Sequence, residues 1–242
     1  MPSDRRQIFA FSGTLPAAEP GTNVDLGAHA LTLTARGRGQ RVCYLPTAVG
    51  DSAIAIESKA AEFADHRPDV EFSALRLFTQ PSVPDVREHL LGQDVILVGG
   101  GSVVNLMAVW RAHGLPDILR EAWELGVVLA GASASSLCWH AGGPTDSFGD
   151  SLAPFTDGLR FLPYSNGVHD DFGDQPRRRV YRSMVAGGTL PAGYASEDGV
   201  GRHYVGTELH EAVSVRADAN AWWVETDGHG GYRDQPIVAR SI

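Results

Sequence analysis

Hydrophobic positions along the chain follow two periods in turn. Short apolar runs with β-branched residues predict strands at Gln7 to Ser12, Arg41 to Pro46, Val70 to Phe78 and Asp94 to Val98. Between them, apolar residues three and four apart predict helices at Val24 to Ala35, Ala53 to His66, Pro84 to Leu91, Val103 to His113 and Pro116 to Leu125. Ile54, Ile56, Ala60, Ala61 and Phe63 form the apolar side of the second of these, and Leu106, Met107 and Trp110 that of the fourth. Ser102 is placed to cap the fourth helix. Pro16 to Thr22 reads as turn, and Gly37-Arg38-Gly39 breaks the first helix. Strands alternating with helices imply βαβ units, hence an α/β fold with a mostly parallel sheet covered on both faces. Beyond Asp150 the pattern loosens. Phe161 to Tyr164 reads as a short extended piece ending near His169, and Arg177 to Val185 as a helix. The C-terminal part reads as hairpin strands from Tyr194 onward. Glu211 to Arg216 is expected to pair with Ala221 to Glu225 about residues 217–220, with a further turn over Asp227-Gly228 and Gly230-Gly231. No repeat or low-complexity linker interrupts the chain, which predicts one domain over residues 1–242.

One stretch stands out. Val127-Val128-Leu129-Ala130 reads as a buried strand, Gly131 to Ser135 as a small-residue turn, and Ser136 to Ala141 as a helix-compatible segment. Strand, tight turn and helix with a serine at the apex describe a nucleophile elbow, in which the hydroxyl is projected away from the sheet. The helix start would add free N–H groups beside a developing anion. Ser133 is the candidate nucleophile. A turn that only packs a helix closely on a sheet would have the same composition.

Composition narrows the classes. At 242 residues with 43% hydrophobic and 20% charged residues, the chain has the balance of an ordinary globular protein with a full core. A formal net charge of -9 argues against a general nucleic-acid surface, despite the local run Arg177-Arg178-Arg179. Cys43 and Cys138 give neither a disulfide framework nor a zinc pattern. Cys138 lies near Ser133 but past the apex, as a buried thiol would. No stretch approaches the ~20 apolar residues of a membrane span, and the N-terminus does not read as a signal peptide, so a cytoplasmic protein is expected.

A serine hydroxyl needs a base, and the base usually a carboxylate behind it. Of nine histidines, His140 lies on the elbow helix and should point away from the apex. His169 stands among small polar residues, Ser165-Asn166-Gly167-Val168-His169-Asp170-Asp171, in a loop at a strand end. Gly99-Gly100-Gly101, directly after a buried strand, lets backbone N–H groups approach a ligand, as an oxyanion hole or a phosphate cradle would. No Walker lysine follows, and the dinucleotide Gly spacing is absent.

Together, Gly99-Gly100-Gly101-Ser102 before a helix, Gly131-Ala132-Ser133-Ala134, Thr145-Asp146 and then His169 resemble the peptidase E (aspartyl dipeptidase) family, with cyanophycinases more distant. The resemblance runs from about Gln7 to Val205. It implies a fold like that of class I glutamine amidotransferases and a Ser-His-acid hydrolase without metal or organic cofactor. By that resemblance the nucleophile falls on Ser133, the base on His169, and the oxyanion donors on the N–H groups of Gly101 and Ala134, with Gly100 beside the substrate. The third member falls on Asp198, then on Glu197 if the register slips by one, then on Asp146, which lies where the family keeps an acidic residue near its site.

Two departures are visible. Ser135 stands where the family usually has glycine, so the elbow there cannot use a φ that only glycine tolerates. Pro176 stands where the family carries an arginine suited to an acidic substrate side chain. Arg179 matches a later arginine, and Arg177 and Arg178 could substitute. The expected activity is serine-type cleavage of short peptides, Asp-Xaa dipeptides among them. The alternatives are a catalytically silent relative that binds a small acidic metabolite or a protein partner, and an esterase or amidase of the same mechanism. Oligomeric state is not readable from the sequence.

Overall fold

The computed structural model describes residues 5–13, 26–35 and 40–242. The turn expected at Pro16 to Thr22 and the break at Gly37 to Gly39 lie outside the described residues, as do the first two positions of the helix expected from Val24.

The N-terminal half alternates as its hydrophobic pattern requires. Its strands are β1 (Gln7–Phe11), β2 (Arg41–Leu45), β3 (Glu71–Ala74), β4 (Val95–Val98) and β5 (Val128–Ala132). Between them run α1 (Leu26–His29), α2 (Ala53–His66), α3 (Val86–Leu91), α4 (Val103–Ala112) and α5 (Leu115–Glu124). Capping sets several helix starts: Ser52, Asp85 and Ser102 each accept a backbone N–H three residues on. α6 (Ala134–Trp139), β6 (Gly143–Thr145), β7 (Ala153–Phe155), β8 (Ser165–Gly167) and α7 (Arg177–Ala186) follow. The chain ends in β9 (Gly193–Ser196), β10 (Val200–Val205), β11 (Glu208–Ser214), β12 (Ala221–Thr226), β13 (Tyr232–Ile237) and β14 (Arg240–Ser241).

Eight strands form the main sheet in the order β14-β11-β10-β1-β5-β4-β2-β3. Neighbours from β1 to β3 are parallel, and β10 is antiparallel to both β1 and β11. Strict alternation along the strands divides the core. Ile8, Ala10, Cys43, Leu45, Ile96, Val98 and Leu129 face a layer made by α3, α4, α5 and α6. Phe9, Phe11, Val42, Tyr44, Val95, Leu97, Val128 and Ala130 face α1 and α2. Helices therefore cover both faces, the arrangement a parallel sheet needs to bury its two apolar surfaces. A second sheet, β13-β12-β9-β8, packs beneath α7 through Tyr181, Val185, Ala195 and Val224.

The structure corrects several local expectations. The helix expected to reach Ala35 is α-helical only to His29 and continues as a 3-10 turn over Ala30–Leu33. The strand expected to reach Phe78 stops at Ala74, because the Asp51 carboxylate takes the N–H groups of Leu77 and Phe78 and bends the chain off the sheet. The extended piece falls on Ser165–Gly167 rather than on Phe161 to Tyr164. Residues 211–216 and 221–225 do not form a hairpin. β11 pairs with β10 in the main sheet, burying Ala212 and Val213, whereas β12 pairs with β9 and β13 in the second. The turn between them is held across the sheets, with the Glu197 carboxylate accepting the Asn220 N–H at 2.9 Å. The β12–β13 hairpin does close over the expected glycines, where Asp227 Oδ1 accepts from His229 and Gly231.

Leu129 lies fully buried in the central strand, against the larger core layer. Leu129→Ala should cost about 2–5 kcal/mol through lost burial and the cavity left behind. Denaturant unfolding at constant slope would measure the loss.

Candidate active site

The C-terminal ends of three adjacent parallel strands converge. β1 leads into Ser12 and Gly13, β4 into Gly99–Gly101, and β5 into Ser133. Such an end is where open α/β sheets leave a crevice for ligands.

Ser133 occupies a backbone conformation that non-glycine residues seldom adopt, φ 54° and ψ -115°. It sits between the last strand residue and α6, and its N–H donates to the carbonyls of Phe11 (3.1 Å) and Ser12 (2.8 Å). A serine before a helix would ordinarily turn its hydroxyl onto the first turn, but this one makes no such cap. Its Oγ instead lies 2.8 Å from His169 Nε2.

His169 follows β8 and also has positive φ, 56°. Its N–H donates to Ser12 Oγ at 2.6 Å, and Ser12 Oγ donates in turn to the Ser196 carbonyl at 3.1 Å. Asp198, in the turn from β9 to β10, lies with Oδ1 2.6 Å from His169 Nδ1. A carboxylate accepts only, so Nδ1 carries the proton and Nε2 is left to accept from the serine. Both partners are partly covered, with 21% of each side chain exposed. Asp198 is fixed from behind: its N–H donates to Asp171 Oδ1 at 2.9 Å, and Arg216 donates to its carbonyl at 3.0 Å and to Asp171 Oδ2 at 2.6 Å. Burial alone would raise the Asp171 carboxyl, but the Arg216 and Asp198 hydrogen bonds hold it below the usual carboxylate range. Gly13 is packed onto this pair. A Cβ there would collide with Asp198 Oδ1 and lie 3.0 Å from His169 Cε1.

The glycine loop flanks the serine from the other side. A Cβ on Gly100 would lie 3.4 Å from Ser133 Cβ. Gly101 has φ 138°, and a Cβ on it would run into the Ala48 carbonyl. The N–H of Gly101 and that of Ala134 at the head of α6 make no hydrogen bond among the described residues. Both are therefore open donors near the serine hydroxyl.

The other candidate residues are placed elsewhere. The Glu197 carboxylate turns away from His169 and binds Arg178 at 3.0 Å and the Asn220 N–H. Asp146 pairs with the buried Arg177 at 2.7 Å and does not reach His169. Arg178 pairs with Asp170 and Glu197 and stacks on Trp222. Arg179 is exposed, has no ion pair among the described residues, and lines an open cleft of about 380 Å³ with Phe172, Gln175 and Tyr232. Cys138 is fully buried and its thiol is pushed well up by burial, which removes it as a nucleophile. Among the described residues no group of three or more His, Cys, Asp or Glu could hold a metal ion.

Sequence reasoning missed one participant, Ser12, and did not foresee the bond that Ser135 makes. Ser12 joins the serine, the histidine loop and the end of β9 through one residue. Ser135, where glycine was expected, keeps φ out of the positive region and donates its Oγ to the Gly99 carbonyl, tying the elbow helix to the glycine loop. Ser12 has no local sequence signature, since it acts across the sheet, whereas Ser135 is visible in the sequence as a departure from the family's glycine.

The chain is similar to known proteins in sequence and in fold. The family model described as Peptidase family S51 matches residues 11–212. The uncharacterized peptidase YgaJ of Bacillus subtilis (strain 168) is 39% identical over 226 residues, spanning 93% of this chain and 94% of that protein. A peptidase from an acI-B1 Actinobacterium superposes with a TM-score of 0.68 at 18% identity, over 96% of this chain and 94% of the other. A Listeria monocytogenes EGD-e protein provisionally described as peptidase E gives 0.62 at 16% identity, over 86% and 98%. With the family model covering most of its length and a relative of this identity spanning nearly all of it, the chain belongs to peptidase family S51, the peptidase E family.

Proposed function

We propose that the protein is a serine peptidase in which Ser133, His169 and Asp198 act as nucleophile, base and orienting acid. The observation that carries the reading is the unbroken hydrogen-bond line from Ser133 Oγ through both nitrogens of His169 to Asp198, with links of 2.8 and 2.6 Å. In this mechanism Ser133 Oγ attacks the amide carbonyl carbon while His169 Nε2 takes the hydroxyl proton. The carbonyl oxygen becomes an oxyanion and accepts the open N–H groups of Gly101 and Ala134. The intermediate collapses by breaking the C–N bond, and His169 returns its proton to the departing amine. Water then attacks the acyl-enzyme with His169 again as base, releasing the acid and restoring the serine. Asp198 holds the Nδ1–H tautomer and stabilises the imidazolium throughout.

The proposed substrates are short peptides, with Asp-Xaa dipeptides the first to try. Within the arginine run only Arg179 is left uncommitted, at the mouth of a cleft whose wall includes Phe172, which packs against His169 at a ring distance of 6.3 Å. An acidic side chain gripped there would gain a charge-assisted hydrogen bond.

Three outcomes are expected. In a panel of Asp-Xaa, Glu-Xaa and neutral dipeptides, Ser133→Ala should lose cleavage by on the order of 10⁴-fold or more. Residual cleavage near the wild-type rate would remove Ser133 from the mechanism. Arg179→Met should raise KM for Asp-Xaa roughly 10- to 100-fold, as expected for loss of a charge-assisted bond of about 1.5–3 kcal/mol. Neutral dipeptides should be unaffected, and an equal effect on both sets would exclude Arg179 as the reader of the acid. Gly13→Ala should push Asp198 off His169, and the downfield Nδ1 proton resonance of His169 should disappear while the protein stays folded. Its persistence would mean that the pair does not depend on this close packing.

A further inference from the structure

Behind the elbow lies a second polar assembly that the proposed triad does not use. Arg202, on β10, is fully buried, yet no carboxylate pairs with it among the described residues. Its Nη2 donates to Asn166 Oδ1, and Asn166 Nδ2 donates to Ser136 Oγ at 2.6 Å. Asn166 and Ser136 are both fully buried. The Ser136 carbonyl is held too, by His140 Nδ1 at 2.7 Å. A carbonyl only accepts, so Nδ1 of this imidazole bears the proton and Nε2 faces the Tyr204 hydroxyl at 3.4 Å. Burial, with Arg202 nearby, pulls His140 down to about 3, which keeps the ring neutral at ordinary pH.

The guanidinium explains why the asparagine has one orientation. An isolated amide can present either its oxygen or its NH₂ group to a neighbour. A guanidinium has five donors, no acceptor and a permanent charge, so only the oxygen can face it. The NH₂ group must then point the other way, at Ser136. Burying a guanidinium without a carboxylate is costly, and an apolar side chain would fill the space at less expense. Stability alone therefore gives no reason for Arg202.

The two ends of this bridge have a common feature. Ser136 is on α6, three residues after Ser133, and Asn166 is on β8, three residues before His169. The amide thus spans the two segments that deliver the reacting pair, and β8 otherwise belongs to the second sheet. We propose that Asn166, oriented by Arg202, is a positioning residue that fixes the separation of Ser133 and His169 by tying the elbow helix to the histidine strand. The proposal rests on Ser133 being the nucleophile.

The test uses the full chain and a fluorophosphonate, which labels an activated serine without knowledge of the substrate. Labelling rates would be measured against pH for wild type, Asn166→Leu, Asn166→Asp, Ser136→Ala and the Asn166→Leu/Ser136→Ala double variant, with folding checked by circular dichroism. Asn166→Leu should slow labelling roughly 10- to 100-fold across the pH range, the scale of effect expected when reacting groups are displaced by about 1 Å. Ser136→Ala should reproduce that loss, and the double variant should add little to it. In Asn166→Asp the Ser136 hydroxyl can reverse and donate to the carboxylate, so most of the rate should return. Rescue of the rate by Asn166→Asp, which keeps both hydrogen bonds, while an equally folded Asn166→Leu stays slow, is the result that a merely structural role would not produce. If Asn166→Leu does not fold, Ser136→Ala against Asn166→Asp carries the comparison. Folded variants labelled at the wild-type rate, or Asn166→Asp as slow as Asn166→Leu, would overturn the bridge while leaving the nucleophile in place. A wild type that is not labelled at all would overturn the nucleophile assignment, and the bridge with it.

Discussion

The backbone of Ser133 is the constraint on which the site depends. A non-glycine residue held at φ 54° and ψ -115° costs of order 1–3 kcal/mol and persists only where its surroundings over-determine it. Here they do. The residue is fixed on one side by β5, whose neighbours β1 and β4 are both parallel to it and, Gln7 apart, buried, and on the other by α6 packed into the larger core layer. Its N–H is shared between two carbonyls of the β1 end. A hydroxyl placed this way has no helix N–H to cap and is presented to the histidine. The strain thus selects the side-chain direction.

The neighbouring loops are then located relative to that one residue. Ser12 accepts Ser133 N–H through its carbonyl and His169 N–H through its hydroxyl, so serine and histidine are measured from the same point. Ser135 fastens the glycine loop to the elbow helix. Arg216 and Asp171 hold the turn that carries Asp198, and Arg182 and Arg178 hold Asp170 immediately after His169. Buried Asp170 is tolerated because two guanidiniums face it.

Much of this was legible in the chain itself where the signal is local. The helix Ala53–His66 could be read to the residue because Ser52 caps it and its apolar side repeats at helical spacing. The elbow was legible because a buried strand, small residues and a helix start follow one another without interruption. The histidine loop could be read from its small polar residues at a strand end, but the acid only through resemblance, since nothing near His169 or Asp198 says that they meet across 29 residues. The hairpin expected between residues 211–216 and 221–225 failed for a related reason. Turn chemistry at 217–220 says that the chain reverses, but not that it changes sheets. The roles of Ser12, Asn166 and Arg202 were invisible for the same cause, as single polar residues in strands or just past a strand end whose partners lie across the fold.

The division of labour between the two sheets has a consequence of its own. Ser133 stands on the main sheet, His169 arrives from β8 of the second sheet, and Asp198 occupies the turn where the chain passes from β9 of the second to β10 of the main. The hydrogen-bonded line from Ser133 through His169 to Asp198 therefore straddles a seam, and its lengths depend on how two separately hydrogen-bonded layers are seated on each other. Val185 on α7 and Val224 on β12 lie in the core that holds α7 against the second sheet, and so help to set where β8 and its following loop lie. The spacing of Ser133, His169 and Asp198 is in this sense a vernier for the alignment of the whole C-terminal layer.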